Sequence, residues 1–131
     1  MQLPANDVVG KLILRVVIGV VVILHGIAKL IGGVGGIAGM LSGIGVPGLF
    51  AYAVFLGEVV GPVLMIVGFY ARIGALLVAL NMVVALALAH THEVFALNEH
   101  GGWAIELQAL LLFGAISSML LGPGRPAFND K

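Results

Sequence analysis

The sequence predicts an all-α integral membrane protein, a four-helix bundle, and three observations carry that prediction. Four apolar stretches are long enough to cross a bilayer, each needing about 20 mostly apolar residues. Hydrophobic residues make up 61% of the 131 residues and charged residues only 9%, with mean hydropathy +1.20, so the chain lacks the charged exterior that water requires. Each stretch also places its polar residue on one stripe with small residues, as tightly packed membrane helices do.

The first span is predicted over 8–30. It is too long for a signal-peptide core, it carries Arg15 and His25, and no small-residue cleavage pattern follows it, so it reads as a retained helix. Segment 32–48, GGVGGIAGMLSGIGVPG, is too short and too Gly-rich to span. Ile37, Met40, Leu41 and Ile44 recur at helical spacing there, which predicts a short interfacial or re-entrant helix between spans one and two. The second span is predicted over 49–70 and the third over 71–92, joined through Gly68-Phe69-Tyr70-Ala71-Arg72 as a tight antiparallel hairpin. The fourth is predicted over 103–121, stopped by Gly122-Pro123-Gly124. The whole chain is thus one membrane domain, with no soluble domain and no basic patch for nucleic acid.

Charge sets the expected orientation. With four spans, both termini and the turn at Arg72 share one side. That side holds Lys11, Arg15, Arg72, Arg125 and Lys131, five of the six basic residues, so both termini are expected in the cytoplasm. The expected location is a bacterial inner (plasma) membrane, with lipid as the first partner.

The polar residues inside the spans carry the functional argument, because an ionisable group there costs roughly 2.5–3.5 kcal/mol on insertion scales. At 100° per residue, Arg15, Gly19, Val22, His25, Gly26 and Lys29 share an arc of about 120°. Glu58, Gly61, Met65 and Gly68 share a face of the second span. Gly74, Asn81, Ala85 and His92 do so in the third, and Glu106, Ala109, Phe113 and Ser117 in the fourth. Counting 1.5 Å per residue from the terminal side places Arg15 at roughly 10 Å and both Glu58 and Asn81 at roughly 15 Å. This depth count predicts a structural layer in which Arg15 pairs with Glu58 near Asn81. His25 and Glu106 fall at roughly 22–26 Å, with Lys29 and His92 above them, forming a second layer. Each residue also has a plainer reading. Arg15 reaches lipid phosphates, Lys29 anchors at the interface, Asn81 is helix–helix glue, and Glu106 complements its helix dipole.

Cysteine is absent, which excludes thiol exchange, iron–sulfur ligation and thiolate metal sites within this chain. His90, His92 and His100 lack the i, i+4 spacing of a helical zinc motif, so they read as loop residues and no metal site is assigned.

Taken in order, Arg15, His25-Gly26-x-x-Lys29, Gly45-x-Pro47, Gly57-Glu58, Gly68-x-x-x-Arg72, Gly101-Gly102 and Gly122-Pro123-Gly124 resemble the DoxX family of small four-helix bacterial membrane proteins. The ending Ala127-Phe128-Asn129-Asp130 departs mildly from that family's usual one, and Glu106 falls slightly late after the Gly-Gly pair. The resemblance implies association with membrane oxidoreductases, including quinone-linked ones. On that basis the expected function is a component of a quinone-linked redox system. His25 and Glu106 would exchange protons with a quinone-type ligand, and Lys29, His92 and Trp103 would contact it. The alternatives are an accessory subunit of a larger respiratory complex, with another membrane subunit or a second copy as partner, and a small transporter or proton path.

Overall fold

The computed structural model describes residues 5–89 and 95–131. His90 and His92, assigned above to the outer layer, lie outside the described residues. Three helical segments, Asp7–Gly32, Gly48–Val67 and Ala71–Leu88, are long and apolar enough to cross a membrane.

Helix α1 (Asp7–Gly32) starts where Asn6 accepts the Val9 N–H at 3.1 Å, a side-chain cap on an otherwise orphaned donor. Its 26 residues extend to roughly 39 Å, longer than a hydrocarbon core of about 30 Å. The expected short helix between the first two spans is α2 (Gly35–Gly43). Gly33 and Gly45, both at φ 84°, turn the chain on either side of it, a conformation that costs glycine nothing.

The second span is continuous but not uniform. It opens as a 3₁₀ turn (Gly48–Ala53), passes through a π turn (Leu56–Val60) and ends as α3 (Gly61–Val67). Pro62 explains the π turn. Its ring excludes the carbonyl four residues back, that of Glu58, and it has no N–H to offer that carbonyl. The backbone opens instead, and the Gly61 N–H reaches Leu56, five residues back. Gly68, at φ 79°, then ends α3.

Helix α4 (Ala71–Ala89) follows directly. After it, the chain forms a tight turn in which Leu97 and Trp103 make an isolated antiparallel bridge. Helix α5 (Glu106–Leu121) begins three residues later than the sequence predicts, because Trp103 to Ile105 are used by this turn. Its 16 residues cover only about 24 Å, less than a full hydrocarbon core.

The spans pack in chain order, α1 on the second span, that span on α4, and α4 on α5, and α5 closes back on α1. Ile18, Val22, Met65, Val78, Met82 and Leu111 fill the centre. The backbones come close at two points. A Cβ on Gly26 would land on the Glu58 carbonyl, and one on Gly74 on the Gly61 carbonyl. The C-terminal tail folds back under the bundle, with Gly124 against Val8, Lys11 and Leu12, and the Phe128 N–H donates to the Gly68 carbonyl at 3.0 Å. The start of α1 and the C-terminal tail therefore meet at one end of the bundle, the tail end; α2 and the turn before α5 lie at the other, the loop end.

Candidate functional site

The expected Arg15–Glu58 pair does not form. Arg15 is buried and donates entirely to backbone. Its Nε reaches the Pro123 carbonyl at 2.8 Å, its Nη1 reaches Met65 at 2.6 Å and Ile66 at 3.2 Å, and its Nη2 reaches Pro126. The Met65 and Ile66 carbonyls are among the last of α3, orphaned by the helix end. Arg15 thus caps one helix and ties the tail to it. The depth count failed because it set the lower ends of α1 and the second span level. The tail packs against the first turns of α1, so the second span meets α1 only from Arg15 upward.

That offset gives Glu58 a different partner. Gly26 sits against the Glu58 backbone, and one turn further along α1 the Lys29 Nζ donates to both carboxylate oxygens, at 2.7 and 2.6 Å. The Glu58 side chain is 3% exposed and that of Lys29 31%. The carboxylate is therefore sealed inside the bundle, while the ammonium faces the space beyond it. Glu58 lies within the π turn. The sequence signal of that turn is Pro62, four residues after an acidic residue inside a span.

Next to the pair is a cavity of about 560 Å³ between α2, the second span and α4. Its wall is apolar except for Lys29 and Asn81. Asn81 lies against Gly57, where any added Cβ would occupy the place of the Asn81 side chain. No hydrogen bond joins the Asn81 carboxamide to another described residue. Asn81 therefore belongs with Lys29 and Glu58, not with Arg15. Lys29 has three N–H donors and gives two to Glu58, so one is left over. The site thus combines an ammonium donor not taken by Glu58, a carboxamide with no hydrogen-bond partner among the described residues and an apolar wall, with a volume in the usual range for small-ligand pockets.

The remaining candidates lie elsewhere. His25 is exposed on α1 at the edge of its polar arc, and its Nδ1 donates to the Val21 carbonyl of its own helix at 2.9 Å. Glu106 is exposed at the start of α5 and accepts from the Asn98 carboxamide at 3.3 Å. The Asn98 carbonyl oxygen Oδ1 accepts the N–H groups of His100 and Gly102, so Glu106 is tied into this turn. Trp103 lies in the same turn. None of the three lines the cavity.

Comparison with known proteins places the chain. It is similar to a Bacillus subtilis (strain 168) protein named "Putative oxidoreductase CatD", at 32% identity over 114 residues, which is 87% of this chain and 80% of that protein. No solved structure matches it. The DoxX family model matches residues 10–91, which carry α1, α2, the second span, the Lys29–Glu58 pair and both polar groups of the cavity wall. With its apolar helical bundle, this membrane protein belongs to the DoxX family.

Proposed function

We propose that the protein is a component of a quinone-linked redox system in a bacterial plasma membrane and that it holds a quinone-type head in the cavity beside Lys29. One observation carries this reading. The ammonium of a buried ion pair and the carboxamide of Asn81 are the polar groups in an otherwise apolar wall. A quinone head is flat and apolar with two carbonyl acceptors, and Lys29 and Asn81 each have a donor to give one. Glu58 holds the Lys29 Nζ in position through both carboxylate oxygens, so the donor is in place before the ligand arrives. The relative's name, which speaks of an oxidoreductase, agrees with this reading. The proton-exchange role expected for His25 and Glu106 has no place in it, since neither lines the cavity. The test is quinone binding to the full chain in lipid nanodiscs. Lys29→Met should abolish binding of a benzoquinone while His25→Ala leaves it unchanged. The reverse result would overturn the reading.

A second reading, an accessory subunit of a larger oxidoreductase, draws on His25. An imidazole on the outer face of a membrane helix, with only its own helix as hydrogen-bond partner among the described residues, is costly against lipid and well placed against a partner subunit. Native mass spectrometry on gently extracted membranes should then give a complex that His25→Leu disrupts. A complex unaffected by that substitution would argue against it.

A further inference from the structure

We infer that the ligand of this cavity is a lipid-soluble amphiphile that enters sideways from the bilayer, through a mouth between Leu56 on the second span and Leu80 and Val84 on α4, and that its tail stays in the membrane. This rests on the reading of the cavity as a ligand site and adds the ligand's class and route.

The inference follows from where the cavity sits. It is not in the centre of the bundle, which Val22, Met65, Val78 and their neighbours fill. It lies on the perimeter, and several of its wall residues are also surface residues. Leu56 is 54% exposed, Leu80 54% and Val84 53%. Leu80 and Val84 are one turn apart within a helix long and apolar enough to span, so the surface they share with the cavity faces hydrocarbon and not water. The end toward the loops is walled differently. Ile37, Met40 and Leu41 of α2 line it, and α2 joins the end of α1 to the start of the second span. The cavity is thus covered by α2 on the side of the loops, where Ile37 and Leu41 are half-buried, and it opens between Leu56, Leu80 and Val84 on the side of the lipid.

The polar groups lie at the inner end of this passage, and its mouth is purely aliphatic. Such a gradient suits a molecule with one polar head and a hydrocarbon tail, the head inward. The head should be neutral. Glu58 already neutralises Lys29 and takes two of its three donors, so an anionic head would have to compete with a carboxylate held at 2.6 Å. A carbonyl-bearing head needs only the remaining donors.

The experiment uses the full chain in nanodiscs with two probes: 2,3-dimethoxy-5-methyl-1,4-benzoquinone without a tail, and the same head on a decyl chain ending in a diazirine. Binding is corrected for partition into empty nanodiscs. The tailed probe should bind at least about tenfold more tightly, the equivalent of roughly two buried methylenes. Photolysis should label Leu56, Leu80 or Val84. Leu80→Trp with Val84→Trp should fill the mouth and weaken binding of the tailed probe at least about tenfold. Because both positions face lipid, the bundle should fold; if it does not, the labelling pattern on the unaltered protein decides. Labels on Ile37 or Met40 in place of the mouth, or equal binding of the two probes, would overturn lateral entry while leaving the cavity as the site. Equal labelling of the mouth in Lys29→Met would mean that an ordinary acyl chain fills the cavity with no recognition of the head, which overturns both. Binding of neither probe would do the same.

Discussion

The two ends of the bundle bury charge in opposite ways. At the tail end Arg15 pairs with no acid among the described residues; its donors go to the carbonyls of Met65, Ile66, Pro123 and Pro126. Nearby, the exposed Arg72 also donates to a carbonyl near a helix end, its Nε reaching that of Met119 in α5 at 2.6 Å. At the loop end Lys29 and Glu58 form an ion pair with one side sealed and the other facing a cavity. The planar guanidinium offers five donors in a fixed fork and suits a cluster of carbonyls. The ammonium is a compact charge that two carboxylate oxygens leave incompletely used. At the tail end four of the five Arg15 donors are spent on backbone carbonyls, and both cations hold helix ends. The loop end keeps a donor and an amide in reserve, which is the condition for meeting a ligand.

The comparison breaks most visibly if the tail end proves dispensable. Arg15→Met leaves several buried carbonyls without a donor, each costing about 1–3 kcal/mol. Thermal unfolding in nanodiscs should show a loss of several kcal/mol, the largest of any single change here. A variant as stable as the parent would mean that the tail is not clasped.

The ion pair gives the next largest effect. Glu58→Ala leaves an unpaired ammonium and should cost about 3–5 kcal/mol, whereas the double variant Lys29→Met with Glu58→Met should recover most of it, as apolar replacements of buried pairs often do. Unfolding of both single variants and the double variant measures this. If the double variant is as unstable as either single one, the pair holds the fold and is not reserved for a ligand.

Glycine contacts sharpen the picture at smaller cost. Gly26→Ala drives a Cβ into the Glu58 carbonyl and should destabilise by about 1–3 kcal/mol through overpacking. Gly10→Ala, with nothing near its Cβ position, should stabilise by up to about 1 kcal/mol. Glu106→Gln is the mildest. The group is exposed and the amide keeps an acceptor for Asn98, so the change should stay within about 0.5 kcal/mol and leave quinone binding intact.

Most of the fold was legible because hydropathy and Gly/Pro punctuation are local signals. The spans, the short helix after α1 and the hairpin at Gly68 all follow from residues close in sequence. The site was less legible, because it depends on how the helices are offset along one another. Lys29 and Glu58 each stand out in the sequence, but a residue count along separate helices takes their ends as level. The tail that shifts α1 lies more than ninety residues further along the chain. The polar arc of α1 was read correctly for Arg15, Gly19 and Gly26, yet it took in His25 at its edge, which points outward. The proton-exchange role expected of Glu106 follows from the depth it shares with His25 and from the family resemblance. Its partner, Asn98, sits in a turn whose backbone hydrogen bonds no periodicity reveals. The π turn at Glu58 had a local cause in Pro62, and that signal was available.

The account rests on Lys29 and Glu58 serving a ligand at the loop end and not the fold. The most direct measurement is binding of a decyl benzoquinone to the Lys29→Met, Glu58→Met double variant in nanodiscs, alongside its unfolding temperature. The account predicts a folded protein, close to the parent in stability, that no longer binds the quinone. A double variant that binds as the parent does would contradict it.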